Sequence, residues 1–228
     1  MSGAVVLFAK TPGLSCIKTR LAVEIGAEAA AEFYGRSIKC IEELAVDVMQ
    51  QSGGDLVPYW AVGEQEGLDH ELWQKFDRLW TGEGGLGERL DHVYAALLKK
   101  HDHVILIGTD SPQLQSSILL EAHACLKARN GFVVGAAEDG GYYLFGGHVP
   151  LPRALWLSVP YSVSSTCAVF TEKLAPYGAI RFLAPNFDVD VAADLSKLPA
   201  CAHLMTGRAQ KDLLRWIDQR GPISDFAQ

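Results

Sequence analysis

The chain has 228 residues, of which 49% are hydrophobic and 21% charged, an ordinary globular composition with enough length for one large domain or two small ones. Its net charge of −7 argues against a general nucleic-acid or anionic-membrane binder, while allowing a small phosphorylated ligand held by local cations. Five scattered cysteines (Cys16, Cys40, Cys125, Cys167 and Cys201), with no C-x-x-C pair, argue against a disulfide framework or zinc site and fit a reducing cytoplasm.

Ala4 to Ala9 reads as a first buried strand, too short for a signal peptide or membrane span, and no other stretch approaches membrane length. It runs into a Pro/Gly turn carrying Lys10, Lys18 and Arg20. Cations at the carboxyl end of a first strand suit phosphate binding; a solvated turn is the plainer alternative. The loop is not a Walker P-loop, because Ile17 and Pro12 stand where that motif needs glycines.

Residues 27–52 carry an apolar stripe at three- and four-residue steps and read as a core-facing helix. Leu56 to Val62 reads as a second strand and Leu68 to Phe76 as a short helix, with His70 at the surface. Four glycines in six positions (82–87) then mark a loop that turns tightly or is approached closely, leading into a helix over 87–100. A flexible loop and a base or ribose contact explain Gly84, Gly85 and Gly87 equally well. His101 and His103 have no metal-ligand spacing and are expected at the solvent surface.

His103 to Ile107 is mostly apolar and β-branched, a buried strand that stops on Gly108-Thr109-Asp110. In an open α/β sheet this delivers one carboxylate to the ligand-binding edge; capping of the helix expected over 114–129 explains Asp110 equally well. Another strand begins at Phe132 and reaches Glu138-Asp139-Gly140-Gly141. The Asp-Gly-Gly run is a hairpin signal, but does not explain two carboxylates side by side, which repel unless a cation joins them. Residues 148–160 read as a Pro-rich loop, 164–176 as a helix and Ile180 to Ala184 as a strand. Asp188 and Asp190 then alternate across Val189, so an extended backbone puts both on one side; capping a short helix at 191–198 is the alternative. A tail helix over 207–220 carries Leu213, Leu214, Trp216 and Ile217, a packing face or an exposed patch for a homodimer.

Strands alternating with helices from residue 4 to 198 predict a three-layer α/β/α domain with a mainly parallel sheet, and without linkers or repeats residues 1–228 read as a single domain. The loaded loops all leave strand ends. Carboxylates without a His or Cys pattern suit Mg²⁺ or Mn²⁺ rather than zinc, and cations beside a hard metal suit a phosphoryl-bearing substrate.

Five stretches in this order, AKTPGLSCIKTRL, GLGERL, LIGTDSPQL, AEDGGYYL and DVDVAADL, resemble the DUF2064 group of the nucleotide-diphospho-sugar transferase superfamily, over roughly residues 4–198. The resemblance implies the Rossmann-like glycosyltransferase-A fold and glycosyltransferase-like activity. The chain is similar, more distantly, to 2-phospholactate guanylyltransferase and molybdenum-cofactor nucleotidyltransferases. Carried over, Asp110 and Asp190 would be metal ligands with Asp188 nearby, Lys18 and Arg20 would neutralise phosphates, and Gly84, Gly85 and Gly87 would lie near base and ribose. The last motif more often reads DVDTPEDL, so Val191, Ala192 and Ala193 depart from it; Cys16 stands where relatives often carry proline, and reads as loop packing.

The expectation is a Mg²⁺- or Mn²⁺-dependent transferase that moves a glycosyl group from a nucleotide-sugar to a small acceptor, with Glu138 or Asp139 as base. The alternative is nucleotidyl transfer from a nucleoside triphosphate to a phosphorylated acceptor with release of pyrophosphate. A nucleotide-binding regulator without turnover is a third class, disfavoured by the intact acidic positions.

Overall fold

The computed structural model describes residues 2–129 and 131–221. In chain order the elements are β1 (Gly3–Ala9), α1 (Thr19–Ile25), α2 (Ala27–Gln51), β2 (Leu56–Val62), β3 (Asp77–Trp80), α3 (Leu86–Leu98), β4 (His103–Gly108), α4 (Ser116–Lys127), β5 (Phe132–Ala136), β6 (Tyr142–Gly147), α5 (Arg153–Leu157), α6 (Thr166–Leu174), β7 (Ile180–Phe182), α7 (Ala192–Leu195) and α8 (Arg208–Arg220). The strands form one sheet in the order β3-β2-β1-β4-β6-β5-β7. β1 pairs in parallel with β2 and β4, β2 with β3, and β5 with β7. Only β6, among these, runs against its neighbours β4 and β5. This is the mixed, mainly parallel α/β sheet expected.

The alternation of strand side chains explains the layers. Val5, Leu7 and Ala9 of β1 and Ile105 and Ile107 of β4 join Ile38, Ile41 and Val48 of α2 and Leu119 and Leu126 of α4 in one cluster. Ala4 and Val6, with Val104 and Leu106, face the other way into Leu90 and Val93 of α3, Trp156 of α5 and Phe170 of α6. Strands buried on both faces need no polar alternation, which is why they read as continuous apolar runs. A third cluster, from α1, the opposite stripe of α2, α7 and α8, buries Leu21, Phe33, Val189 and Trp216.

The structure corrects several expectations. Leu68 to Phe76 is not a helix: two short 3₁₀ turns (Gln65–Gly67 and Glu71–Trp73) lead into β3, and Trp73, closing the second turn, lies buried against Trp60. The stretch 148–160 contains α5. His103 is not at the surface; it is 2% exposed and its Nε2 lies 2.9 Å from Nδ1 of His123. His101 is half-buried, 2.9 Å from the Ser2 hydroxyl and 3.0 Å from that of Tyr59. Trp216 offers no exposed dimer patch: it packs on Phe33 of α2, with the Arg36 and Arg220 guanidinium groups over its ring. No helix among the described residues is long and apolar enough to cross a membrane.

Candidate active site

The carboxyl ends of the parallel strands share one edge of the sheet, and the loops leaving it are tied to one another. The first loop, which follows β1, is fixed by Glu64, just beyond β2. One Glu64 carboxylate oxygen accepts the Thr11 N–H at 2.7 Å and the other accepts the Ser15 hydroxyl. The Tyr34 hydroxyl both accepts the Lys10 N–H and donates to the Lys10 carbonyl, each at 2.9 Å. The loop closes at Lys18, whose backbone is left-handed (φ 47°) immediately before α1.

Lys18 is turned inward; its side chain is 4% exposed. Its ammonium meets Asp110 Oδ1 at 2.7 Å, Asp190 Oδ1 at 2.9 Å and the Val189 carbonyl at 2.6 Å. Burial by itself would lower the Lys18 pKa, but the neighbouring Asp110 and Asp190 carboxylates outweigh it and the net shift is upward. Arg20 Nη1 reaches Asp190 Oδ2 at 3.8 Å from an exposed position, and Lys10 is exposed. Of the three cations expected to meet phosphates, Lys18 is therefore engaged with the acids.

The two acids meet because their backbones are joined. The Val189 N–H donates to the Asp110 carbonyl at 2.9 Å. Gln113 donates through Nε2 to Asn186 Oδ1 at 2.7 Å and to the Phe187 carbonyl at 2.6 Å. Val189 is fully buried, a burial worth roughly 1.5–3 kcal/mol, which anchors the segment carrying Asp188 and Asp190, both half-buried. Asp110 does not cap the following helix, whose N-cap is Gln115. Nor does the Asp190 side chain cap α7: Asp194 accepts the N–H groups of Asp190 and Val191, both at 3.2 Å. Asp188 accepts the Ser111 hydroxyl. Burial, and less strongly the Asp110 charge, pushes the Asp188 carboxyl up to about 6 against that hydrogen bond.

The glycine loop follows β3. Gly84 takes φ +90°, a backbone region that other residues rarely adopt, and Glu88 accepts the Gly85 N–H at 2.6 Å. Arg89 staples the loop, donating to the carbonyls of Gly84 (3.0 Å) and Gly63 (2.7 Å) and to the Thr81 hydroxyl (3.1 Å). Gly84 and Gly85 are exposed at the edge. Gly87 is not available to a base or ribose: it is buried, and a Cβ there would lie 2.6 Å from the Trp156 carbonyl. Its role is close packing of α3 on α5.

Glu138 and Asp139 lie in the β5–β6 hairpin turn. Asp139 Oδ1 accepts the Gly141 N–H at 2.8 Å, and Glu138 pairs with Lys197 at 2.9 Å. Lys197 also reaches Asp194 at 3.1 Å and lies over the Phe187 ring. These groups and Arg20, Asp188 and Asp190 line an open cleft of about 220 Å³. A larger cavity, about 300 Å³, lies between α2 and α8 and includes none of these residues; the clustered charge makes the smaller cleft the candidate site. Cys16 is exposed, not packed in the loop. Sequence reading missed Glu64, Arg89, Ser111 and Lys197. Arg89 and Ser111 had a signal, lying inside GLGERL and LIGTDSPQL; Glu64 and Lys197 meet their partners only across the fold.

Among the described residues no group of three or more His, Cys, Asp or Glu side chains is arranged to hold a metal. Asp110 and Asp190 nonetheless fit a hard cation of the Mg²⁺ type, which takes one or two carboxylates and completes its shell with phosphate oxygens and water.

A mixed sheet of this order, with acids and cations along its carboxyl edge, defines a protein of the nucleotide-diphospho-sugar transferase fold. Over 99% of both chains it is similar to a protein from Desulfovibrio desulfuricans G20 described as a "putative nucleotide-diphospho-sugar transferase", with a TM-score of 0.81 and 23% identity. A cytidylyltransferase from Leptospira borgpetersenii serovar Hardjo-bovis (strain JB197) gives a TM-score of 0.57 at 13% identity, covering 99% of this chain and 97% of that one. CMP:2-keto-3-deoxy-manno-octonic acid synthetase complexed with CTP gives 0.52 at 12% identity, covering 89% and 99%. No curated protein matches. The chain belongs to the family described as "Uncharacterized protein conserved in bacteria (DUF2064)", whose model matches residues 45–163. That match includes Asp110 and the glycine loop; Lys18, Arg20, Asp188 and Asp190 lie outside it.

Proposed function

We propose that the protein is a metal-assisted transferase that takes a nucleotide-sugar and moves its glycosyl group to a small acceptor. The observation that carries this reading is the convergence of Asp110, just past β4, and Asp190, in the segment between β7 and α7, on one cation position beside an open cleft. Asp110 and Asp190 would hold Mg²⁺ or Mn²⁺ together with diphosphate oxygens, with Asp188 as a neighbour bonded to Ser111. Bound there, the ion would offset charge on the departing nucleoside diphosphate. Arg20 and Lys10, both exposed, would face the phosphates, and Gly84 and Gly85 would let a base or ribose approach the backbone. The acceptor oxygen would bond the anomeric carbon as the bond from that carbon to the phosphate oxygen breaks. Glu138 or Asp139, on the cleft wall, would take the acceptor proton. The reading places these residues in one domain, 1–228, and free thiols at Cys40 and Cys167 support a cytoplasmic setting.

A second reading, nucleotidyl transfer from a nucleoside triphosphate with loss of pyrophosphate, is favoured by the likeness to the cytidylyltransferase and to the synthetase complexed with CTP. A thermal-shift panel of nucleotide-sugars and triphosphates, with and without Mn²⁺, tests both, since a ligand that binds the native state raises Tm. A Mn²⁺-dependent shift with a nucleotide-sugar, lost in Asp110→Asn, is expected. A shift confined to a triphosphate would select nucleotidyl transfer, and no shift with either would sink both. Product analysis then separates them, free nucleoside diphosphate against pyrophosphate.

A further inference from the structure

We propose that Lys18 is the resident cation of the site, and that a divalent metal gains Asp110 and Asp190 only as the Lys18 ammonium leaves them. This rests on the metal-assisted reading above. An ammonium has three N–H donors, and Lys18 has three acceptors at 2.6–2.9 Å: the Val189 carbonyl, Asp110 Oδ1 and Asp190 Oδ1. It therefore occupies the position where one cation can meet both acids. The acids themselves are open to a ligand, with side chains 44% and 40% exposed, whereas that of Lys18 is 4% exposed.

A metal bound to the same two oxygens would lie within a few ångströms of a buried like charge, and at that range the repulsion is strong wherever water is scarce. The arrangement is stable with the ammonium in place or with the metal in place, and unfavourable with both. A phosphate-bearing ligand changes the balance, because it offers the released ammonium a new anion while adding oxygens to the metal. Metal and nucleotide then raise each other's affinity by the same factor. Lys18 is thus a placeholder that keeps the two acids together in the free protein.

The test is Mn²⁺ binding to the full chain without nucleotide, read by electron paramagnetic resonance of the free ion. Wild type is compared with Lys18→Met, Lys18→Gln and the Lys18→Met/Asp110→Asn double variant, each confirmed as folded by its thermal melt. Lys18→Met and Lys18→Gln are expected to bind one Mn²⁺ about tenfold or more tighter than wild type, and the double variant to lose that gain. Wild type binding Mn²⁺ as tightly as the folded single variants would overturn the proposal. A second measurement needs no variant. Amine acylation of wild type, mapped by mass spectrometry, should spare Lys18 and should reach it once Mn²⁺ saturates the protein; labelling unchanged at full Mn²⁺ occupancy also overturns the proposal. Neither arm contains nucleotide, so failure of the transferase reading in the thermal-shift panel is distinguishable from failure here.

Discussion

Replacing His103 with glutamine should flatten the acid limb of the protein's stability curve. His103 opens β4, 2% exposed, with its Nε2 2.9 Å from His123 Nδ1. Gly3 lies so close that a Cβ there would come within 2.1 Å of the ring. Burial, and after it the His123 ring, pushes the His103 imidazole down to about 4; His101 and His148 act the same way and Asp102 opposes them. His123 is also lowered, by burial and then Lys127, against Asp55. The unfolded chain titrates a histidine near pH 6.5. Between about pH 6.5 and 4 the unfolded state binds more protons, so the contribution is complete above that window and is lost as pH falls through it. From those two values, His103 alone removes roughly 2 kcal/mol by pH 5. The assay is urea unfolding of wild type and His103→Gln at pH 7.5 and pH 5. The intrinsic cost of the substitution appears at both pH values and cancels in their difference. The variant should lose about 2 kcal/mol less than wild type between them; equal losses would refute the reasoning.

Gly87→Ala should destabilise the fold by about 1–3 kcal/mol, seen as a lower Tm, because the new methyl meets the Trp156 carbonyl at 2.6 Å and a Tyr161 ring carbon at 2.9 Å. Glu64→Ala removes the acceptor of the Thr11 N–H and Ser15 hydroxyl; about 1–2 kcal/mol of stability should go, and limited proteolysis within 10–18 should quicken. Trp216→Ala empties a buried position under Arg36 and Arg220, at a cost of about 3 kcal/mol in denaturant unfolding. A loss below about 0.5 kcal/mol would contradict that burial.

The fold was legible where periodicity and burial agree. β1, β2 and β4 are apolar on both faces, so their identity and limits follow from composition, and the long stripe of α2 could be nothing else. The stretch 68–76 failed because Leu68, Leu72, Trp73 and Phe76 imitate helical spacing, while the chain makes two 3₁₀ turns to seat Trp73 beneath Trp60. His103 was misjudged because a polar residue at a strand start normally meets water; its partner, His123, comes from α4, twenty residues on. In the site, Asp110 was visible as a strand-end carboxylate and Asp190 as one of two carboxylates alternating across Val189. The direction of Lys18 was not, since a lysine in a basic turn reads as solvated until two distant acids are brought to it. Gly87 looked like its neighbours in the glycine run, and only the position of α5 separates packing from access.

The reversed direction of β6 bears on how such a site can diversify. At the ligand edge β4 and β5 end, whereas β6 begins, fed by the turn at Ala137–Gly141. A segment entering a strand there can be lengthened or replaced without shifting the register that fixes Asp110, because β4 already holds its place against β1. The wall carrying Glu138 and Asp139 can thus change without moving Asp110, but it is tied to the Asp190 segment through the Glu138 N–H on the Asn186 carbonyl at 3.0 Å and through Lys197. Under the transferase reading, variation in that turn would leave the Asp110 side of the rim in place and be felt at the Asp190 side.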